Sequence, residues 1–155
     1  MIEIKCNFWE HERQWLGIVC TTNTTLKSNG DLVMGAGIAK DFAIRIPILP
    51  KLWGDKVKSG HKTVIITDMC GVDGNYEPMY IALPTKHDWK LPSPEELVIQ
   101  SCKEMLFLIN SIARLELGNG KILMTRPGCG NGGLKWENIK PKLDFLDDRF
   151  TVISQ

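Results

Sequence analysis

The sequence lacks any long apolar run. No stretch approaches the about 18 uninterrupted apolar residues that a membrane-spanning helix needs, so no membrane association is expected. It also lacks an excess of either charge. Nineteen Lys and Arg stand against 18 Asp and Glu, a formal net charge of +1. A strong overall cationic field therefore does not draw a partner, although a local basic patch stays open. There is no C-x-x-C pair. The five cysteines (Cys6, Cys20, Cys70, Cys102 and Cys129) are odd in number and widely spaced. That suits a reducing cytosol better than a disulfide framework and removes the usual local ligand pairs of zinc. His11, His61 and His87 are equally scattered, and no metal or cofactor is expected. Residues 1–5 have no basic start leading into an apolar stretch, so no secretory leader and a cytoplasmic location are expected. No linker, repeat or low-complexity run divides the 155 residues. They are expected to form one monomeric domain over 1–155, large enough to bury a core without staples.

What is present alternates short apolar stretches with helical patterns, the signature of a mixed α/β layer fold. Ile2-Glu3-Ile4 predicts an edge strand, and residues 16–21 a buried one. A helix is predicted from Gly37, with Ile38 and Phe42 on one face and Pro47 as its stop. Residues 63–69 and 80–83 predict two strands joined by a glycine-containing loop, as a hairpin or looped antiparallel pair. After Pro92, Ser93 is a natural N-cap, Pro94 suits the first helical position and Glu96 completes a capping box. Val98, Cys102, Met105, Ile109 and Ile112 then form one apolar stripe. Gly118 is expected to end that helix, and residues 121–125 to form a strand. A last helix is predicted from Asn138 as N-cap, with Pro141 in its first turn, before a final strand at 150–153.

Two segments break this pattern. Met34-Gly35-Ala36-Gly37-Ile38-Ala39 is one. The other is Arg126-Pro127-Gly128-Cys129-Gly130-Asn131-Gly132-Gly133-Leu134, with four glycines in the six residues 128–133. Each follows a strand signal and leads toward a helix. Glycine permits positive φ and close approach of a ligand. Consecutive backbone N–H groups in such loops, together with helix N-termini, make anion-binding concavities at strand ends. Neither segment has the Gly-Lys-Ser/Thr of a phosphate-binding Walker loop, and neither is a dinucleotide fingerprint. Ordinary tight turns are the bland reading. Two matching loops point instead to a diphosphate held from both sides, as in a nucleoside diphosphate or ADP-ribose.

Asn23 after an apolar strand, then the two glycine segments with Leu83-Pro84-Thr85-Lys86 between them and Lys135-Trp136 after the second, resemble a macrodomain. The resemblance spans nearly the whole chain in the family's order. It is nearest the branch that hydrolyses ADP-ribose adducts, namely the terminal ADP-ribose glycohydrolase and the bacterial antitoxins acting on ADP-ribosylated DNA. Pro84-Thr85-Lys86-His87-Asp88-Trp89 is especially similar to the antitoxin pattern. The resemblance implies a three-layer α/β/α fold with a central mixed sheet. It also implies an ADP-ribose cleft at the strand ends. Asn23 would bond the distal ribose, and Met34, Gly35, Ala36, Gly37 and Ile38 would form the first loop. Thr85 would contact substrate and Lys86 would be catalytic. Gly128, Cys129, Gly130, Asn131, Gly132, Gly133 and Leu134 would form the second loop.

The sequence departs from the family in three places. Asn7, followed by Phe8 and Trp9, stands where an adenine-binding Asp is usual; Asn can still accept from the adenine amino group, and Asn7 and Phe8 are expected at the substrate. Residues 24–31 look like an insertion at the rim. Gly132 stands where the human glycohydrolase has an acidic partner for its lysine.

Cleavage breaks the bond at C1 of the distal ribose. A lysine there either adds as a neutral amine to the ring-opened sugar or acts as a cationic donor. His87 and Asp88 are secondary candidates, with solvent exposure and capping as their ordinary roles. Cys129 reads as a small buried residue rather than a nucleophile. Asn131 either orients substrate or stabilises its turn. Trp89 and Trp136 are expected to pack at the loop bases, with stacking of Trp89 on a nucleobase as the alternative. Asp144, Asp147 and Asp148 read as a solvated face. The partner expected is ADP-ribose or an ADP-ribosylated nucleic acid or protein. Two other functions use the same pocket: a phosphatase for ADP-ribose 1″-phosphate, and a non-catalytic ADP-ribose reader.

Overall fold

The computed structural model describes residues 1–10, 14–69, 77–113 and 120–153. Six strands form one sheet: β1 (Ile2–Ile4), β2 (Gly17–Thr22), β3 (Ile65–Thr67), β4 (Met79–Pro84), β5 (Ile122–Thr125) and β6 (Phe150–Ile153). Their order is β1-β6-β5-β2-β4-β3. Every neighbouring pair is parallel except β3 with β4, which is antiparallel.

The helices are α1 (Gly37–Arg45), α2 (Leu49–Lys58), α3 (Glu95–Ala113) and α4 (Trp136–Ile139). Alternation along the strands assigns them to two faces. Val19, Ile81, Leu83, Ile122, Met124, Phe150 and Val152 pack with Val98, Cys102, Met105 and Ile109 of α3 and with Trp136 and Ile139 of α4. The intervening residues Ile18, Cys20, Tyr80, Ala82, Leu123 and Ile153 pack with Ala39 and Phe42 of α1 and with Leu49, Trp53 and Val57 of α2. Helix, sheet and helix therefore make three layers around a mixed sheet. Among the described residues no helix is long and apolar enough to cross a membrane.

Several local expectations change. Helix α2 has no counterpart among the predicted elements, because Pro47 and Pro50 flank its start and suggest a break. Pro50 instead occupies the first turn, where its missing N–H costs no helical bond. The strand predicted at 63–69 shortens to β3. Ser93 does not cap α3: its hydroxyl is buried without a hydrogen-bond partner. Its backbone N–H instead donates to the Gly132 carbonyl at 2.9 Å. The last helix begins at Trp136, with Lys135 rather than Asn138 as N-cap. Pro141 cannot donate to a carbonyl one turn back, and the chain tightens into a 3-10 turn over Lys140–Leu143. Gly118 lies outside the described residues.

Candidate active site

Parallel strands bring their carboxyl ends to one edge, where open α/β sheets form crevices. A cleft of about 720 Å³ lies at that edge. Thr21, Thr22 and Asn23 enter it from the end of β2, Thr85 and Lys86 from beyond β4, Thr125 and Arg126 from β5, and Ile153 from β6. Val33, Ala39, Trp89, residues 35–38 of the first glycine segment and residues 128–132 of the second complete the lining.

Asn23 folds the chain that follows it. Its Nδ2 donates to the Val33 carbonyl at 2.8 Å, and its Oδ1 accepts the Thr25 N–H at 2.8 Å. One amide proton and further acceptor capacity remain for a ligand. Residues 24–31 form an ordered turn, with a bridge between Leu26 and Leu32. A Cβ on Gly54 would lie 2.2 Å from the Gly30 carbonyl oxygen, so only glycine lets α2 press this closely against the turn.

The first glycine loop opens α1. Ala36 is its N-cap and provides no side-chain cap. The first-turn N–H groups of Gly37, Ile38 and Ala39 therefore begin the helix at the cleft, carrying partial positive charge. The second loop faces it. Gly128 and Gly130 have φ of +75° and +59°. The Gly130 and Asn131 N–H groups make no backbone hydrogen bond among the described residues. The loops meet where a Cβ on Gly37 would stand 3.1 Å from Asn131 Nδ2.

Lys86 reaches into this junction, its Nζ donating to the Asn131 carbonyl at 2.5 Å. Thr85, buried beside it, donates from its N–H to the Thr22 carbonyl at 2.9 Å. Burial pushes the Cys129 thiol up, partly offset by the nearby Arg126 charge, with Glu137 adding a smaller upward push. This matches a packing residue better than a thiolate nucleophile. A Cβ on Gly132 would lie 2.4 Å from Ser93 Oγ. No acidic side chain fits there while Ser93 keeps its place.

Arg126 anchors the base of the second loop. Its guanidinium donates to Glu3 at 3.3 Å and lies 5.5 Å from the Trp136 ring centre. Glu3 also accepts from Trp136 Nε1 at 3.0 Å and pairs with Lys140. The Lys140 bond, aided by those from Trp136 and Arg126, holds the Glu3 carboxyl below its usual range against the effect of burial.

Of the predicted site residues, Asn23, Gly35, Ala36, Gly37, Ile38, Thr85, Lys86, Gly128, Cys129, Gly130, Asn131 and Gly132 line the cleft. Five do not. Asn7 uses its Oδ1 to accept the Trp9 N–H at 3.0 Å, closing a turn. Phe8 is buried against Phe42, and Met34 is buried in the same cluster. Gly133 closes the 3-10 turn by donating to the Gly130 carbonyl at 2.9 Å. Leu134 packs against the α3-side core. The cleft residues that sequence reasoning missed, such as Thr22, Thr125, Arg126 and Ile153, share one signal: each ends a parallel strand or directly follows one. Trp89 also lines the cleft and is 51% exposed, whereas Trp136 packs as expected. No group of His, Cys, Asp or Glu among the described residues could hold a metal ion.

The cleft joins two glycine loops at the parallel strand ends of a three-layer fold. Across 99% of this chain and 97% of the other, the fold superposes on the macrodomain of Mycobacterium tuberculosis DarG with a TM-score of 0.79 at 21% identity. The chain has the macrodomain fold. Thermosipho africanus DarTG, solved in complex with ADP-ribose, matches with a TM-score of 0.76 at 18% identity, covering 94% of this chain and 39% of that one. In sequence the chain is 30% identical over 115 residues to a DNA ADP-ribosyl glycohydrolase of Mycobacterium tuberculosis. That match covers 72% of this chain but spans only 30% of the length of the curated relative. No protein-family model matches the chain.

Proposed function

We propose that this macrodomain binds ADP-ribose and releases it hydrolytically from a modified nucleic acid, with Lys86 as the catalytic residue. The observation carrying the proposal is the junction of Lys86, Asn131 and Gly37 between two loops suited to a diphosphate. The curated relative named for hydrolysis of DNA ADP-ribosyl groups supports the choice of reaction.

On this reading the diphosphate lies between the first turn of α1 and the Gly130–Asn131 amides, where partial positive charge stabilises it. The distal ribose then lies at Asn23 and Lys86. Hydrolysis adds water across the bond between C1 of that ribose and the carrier, giving free ADP-ribose and the unmodified carrier. The Lys86 amine already donates a hydrogen bond into the junction. The same donor serves a leaving group that gains charge as the bond breaks.

Calorimetry with ADP-ribose, paired with release assays on thymidine-linked DNA and glutamate-linked protein, tests the proposal. Lys86→Ala is expected to lower turnover by about 100-fold or more while ADP-ribose still binds, as expected when a positioned proton donor is lost. Undiminished turnover in Lys86→Ala would remove the mechanism. Binding without release from any adduct would leave an ADP-ribose reader.

A further inference from the structure

Among the described residues, Trp89 belongs to neither core cluster. The indole is 51% exposed, yet it lines the cleft three positions after Lys86. A large aromatic side chain left half in water at a cleft is an unsatisfied contact surface. The turn carrying it is preformed. Asp88 Oδ1 accepts the Lys90 N–H at 2.9 Å, and the Asp88 carbonyl accepts the Leu91 N–H at 3.2 Å. The His87 carbonyl accepts from the Thr24 and Thr25 hydroxyls at 3.1 and 3.2 Å, which ties this turn to the segment after β2.

The strand order gives the cleft a direction. β5 and β6 lie on one side of β2, and β4 lies on the other. Arg126 and Ile153 therefore mark one end, and Lys86 and Trp89 the other. If the bond to be broken sits at Lys86, the group attached to the ribose leaves the cleft past Trp89. One face of the ring is already engaged, with Lys90 Nζ 5.5 Å from its centre. An aromatic face beside lysines is the arrangement that holds single-stranded nucleic acid, by stacking bases and attracting backbone charge.

We propose that Trp89 is the platform on which the carrier's nucleobase stacks, and so selects nucleobase-linked over carboxylate-linked ADP-ribose. This rests on the hydrolase reading above. The test uses the full chain carrying Lys86→Ala, so that adducts persist. Affinities are measured for free ADP-ribose, for a single-stranded thymidine-linked ADP-ribosyl oligonucleotide and for a glutamate-linked ADP-ribosyl peptide. The measurements are repeated with Trp89→Ala and Trp89→Phe added.

The oligonucleotide adduct is expected to bind about tenfold tighter than ADP-ribose, within the range for one base stacked on an aromatic ring. Trp89→Ala should reduce that advantage to about twofold or less, and Trp89→Phe, which keeps an aromatic face, should retain most of it. An advantage that survives Trp89→Ala overturns the proposal, as does no advantage with Trp89 present. An equal loss for the peptide adduct, or for ADP-ribose itself, also overturns it. If neither ADP-ribose nor either adduct binds the parent protein, the hydrolase reading falls and the platform with it. If ADP-ribose binds without a Trp89-dependent gain for the oligonucleotide, only the platform falls.

Discussion

The two glycine loops use the same residue for different physical reasons. Gly35 in the first loop is exposed, and a Cβ there would meet nothing within 4 Å. Glycine leaves that side of the cleft open. Gly128 in the second loop is buried at φ +75°, and a Cβ would stand 2.7 Å from Leu134 Cδ1 and 2.9 Å from Val98 Cγ2. Glycine is needed there to build the loop at all. The first loop thus takes its rigidity from α1, whereas the second takes its shape from contact with α3 and the core beneath it.

Stability measurements can break this contrast. Gly128→Ala is expected to cost about 3 kcal/mol, combining left-handed backbone strain with overpacking. Urea unfolding checks it, and a loss under about 1 kcal/mol would show that the buried fit is loose. Gly132→Ala should cost less, about 1 kcal/mol, because the Ser93 hydroxyl can rotate away from the new methyl group. Adding Ser93→Ala should recover part of that loss, and the double-mutant cycle reads the coupling directly. Strict additivity would argue that Ser93 is not what confines Gly132.

The ion cluster under the second loop should contribute still less, below about 1 kcal/mol, because its members are partly exposed. Its sign follows from the lowered Glu3 carboxyl. The stabilisation is present above the pKa of the unfolded chain and is lost as pH falls through the lower, folded value. Glu3→Gln should therefore narrow its stability gap to the parent protein below about pH 4, near the glutamate reference range. A gap independent of pH would remove this account. Smallest of all in stability is Gly35→Ala, expected within about 0.5 kcal/mol of the parent protein. That variant should nevertheless bind ADP-ribose about tenfold more weakly in calorimetry, because its methyl group enters the ligand's space. Normal binding would show that openness at Gly35 is not used.

Much of this was legible before the structure. The stripe from Val98 to Ile109 marks its helix because 3.6-residue periodicity needs no tertiary information. The loop positions were legible because glycine clusters punctuate strand-to-helix turns. What misled was local chemistry with a tertiary competitor. Ser93 has the right residue type for a cap, but its hydroxyl is buried beside Gly132. Pro50 resembles a breaker until α2 is seen to start just before it. Asn7 and Phe8 were expected at the ligand because of their place after β1, but one closes its own turn and the other enters the core.

The sequence by itself determined the alternation of elements, the two glycine loops and Lys86 between them, because periodicity and glycine content act over a few residues. Only the tertiary structure decided that Lys86 meets Asn131, that Arg126 and Ile153 share its cleft and that Trp89 is left half in water. Those relations depend on which parallel strands become neighbours, and strand order is set by the packing of two helical layers rather than by any local run of residues.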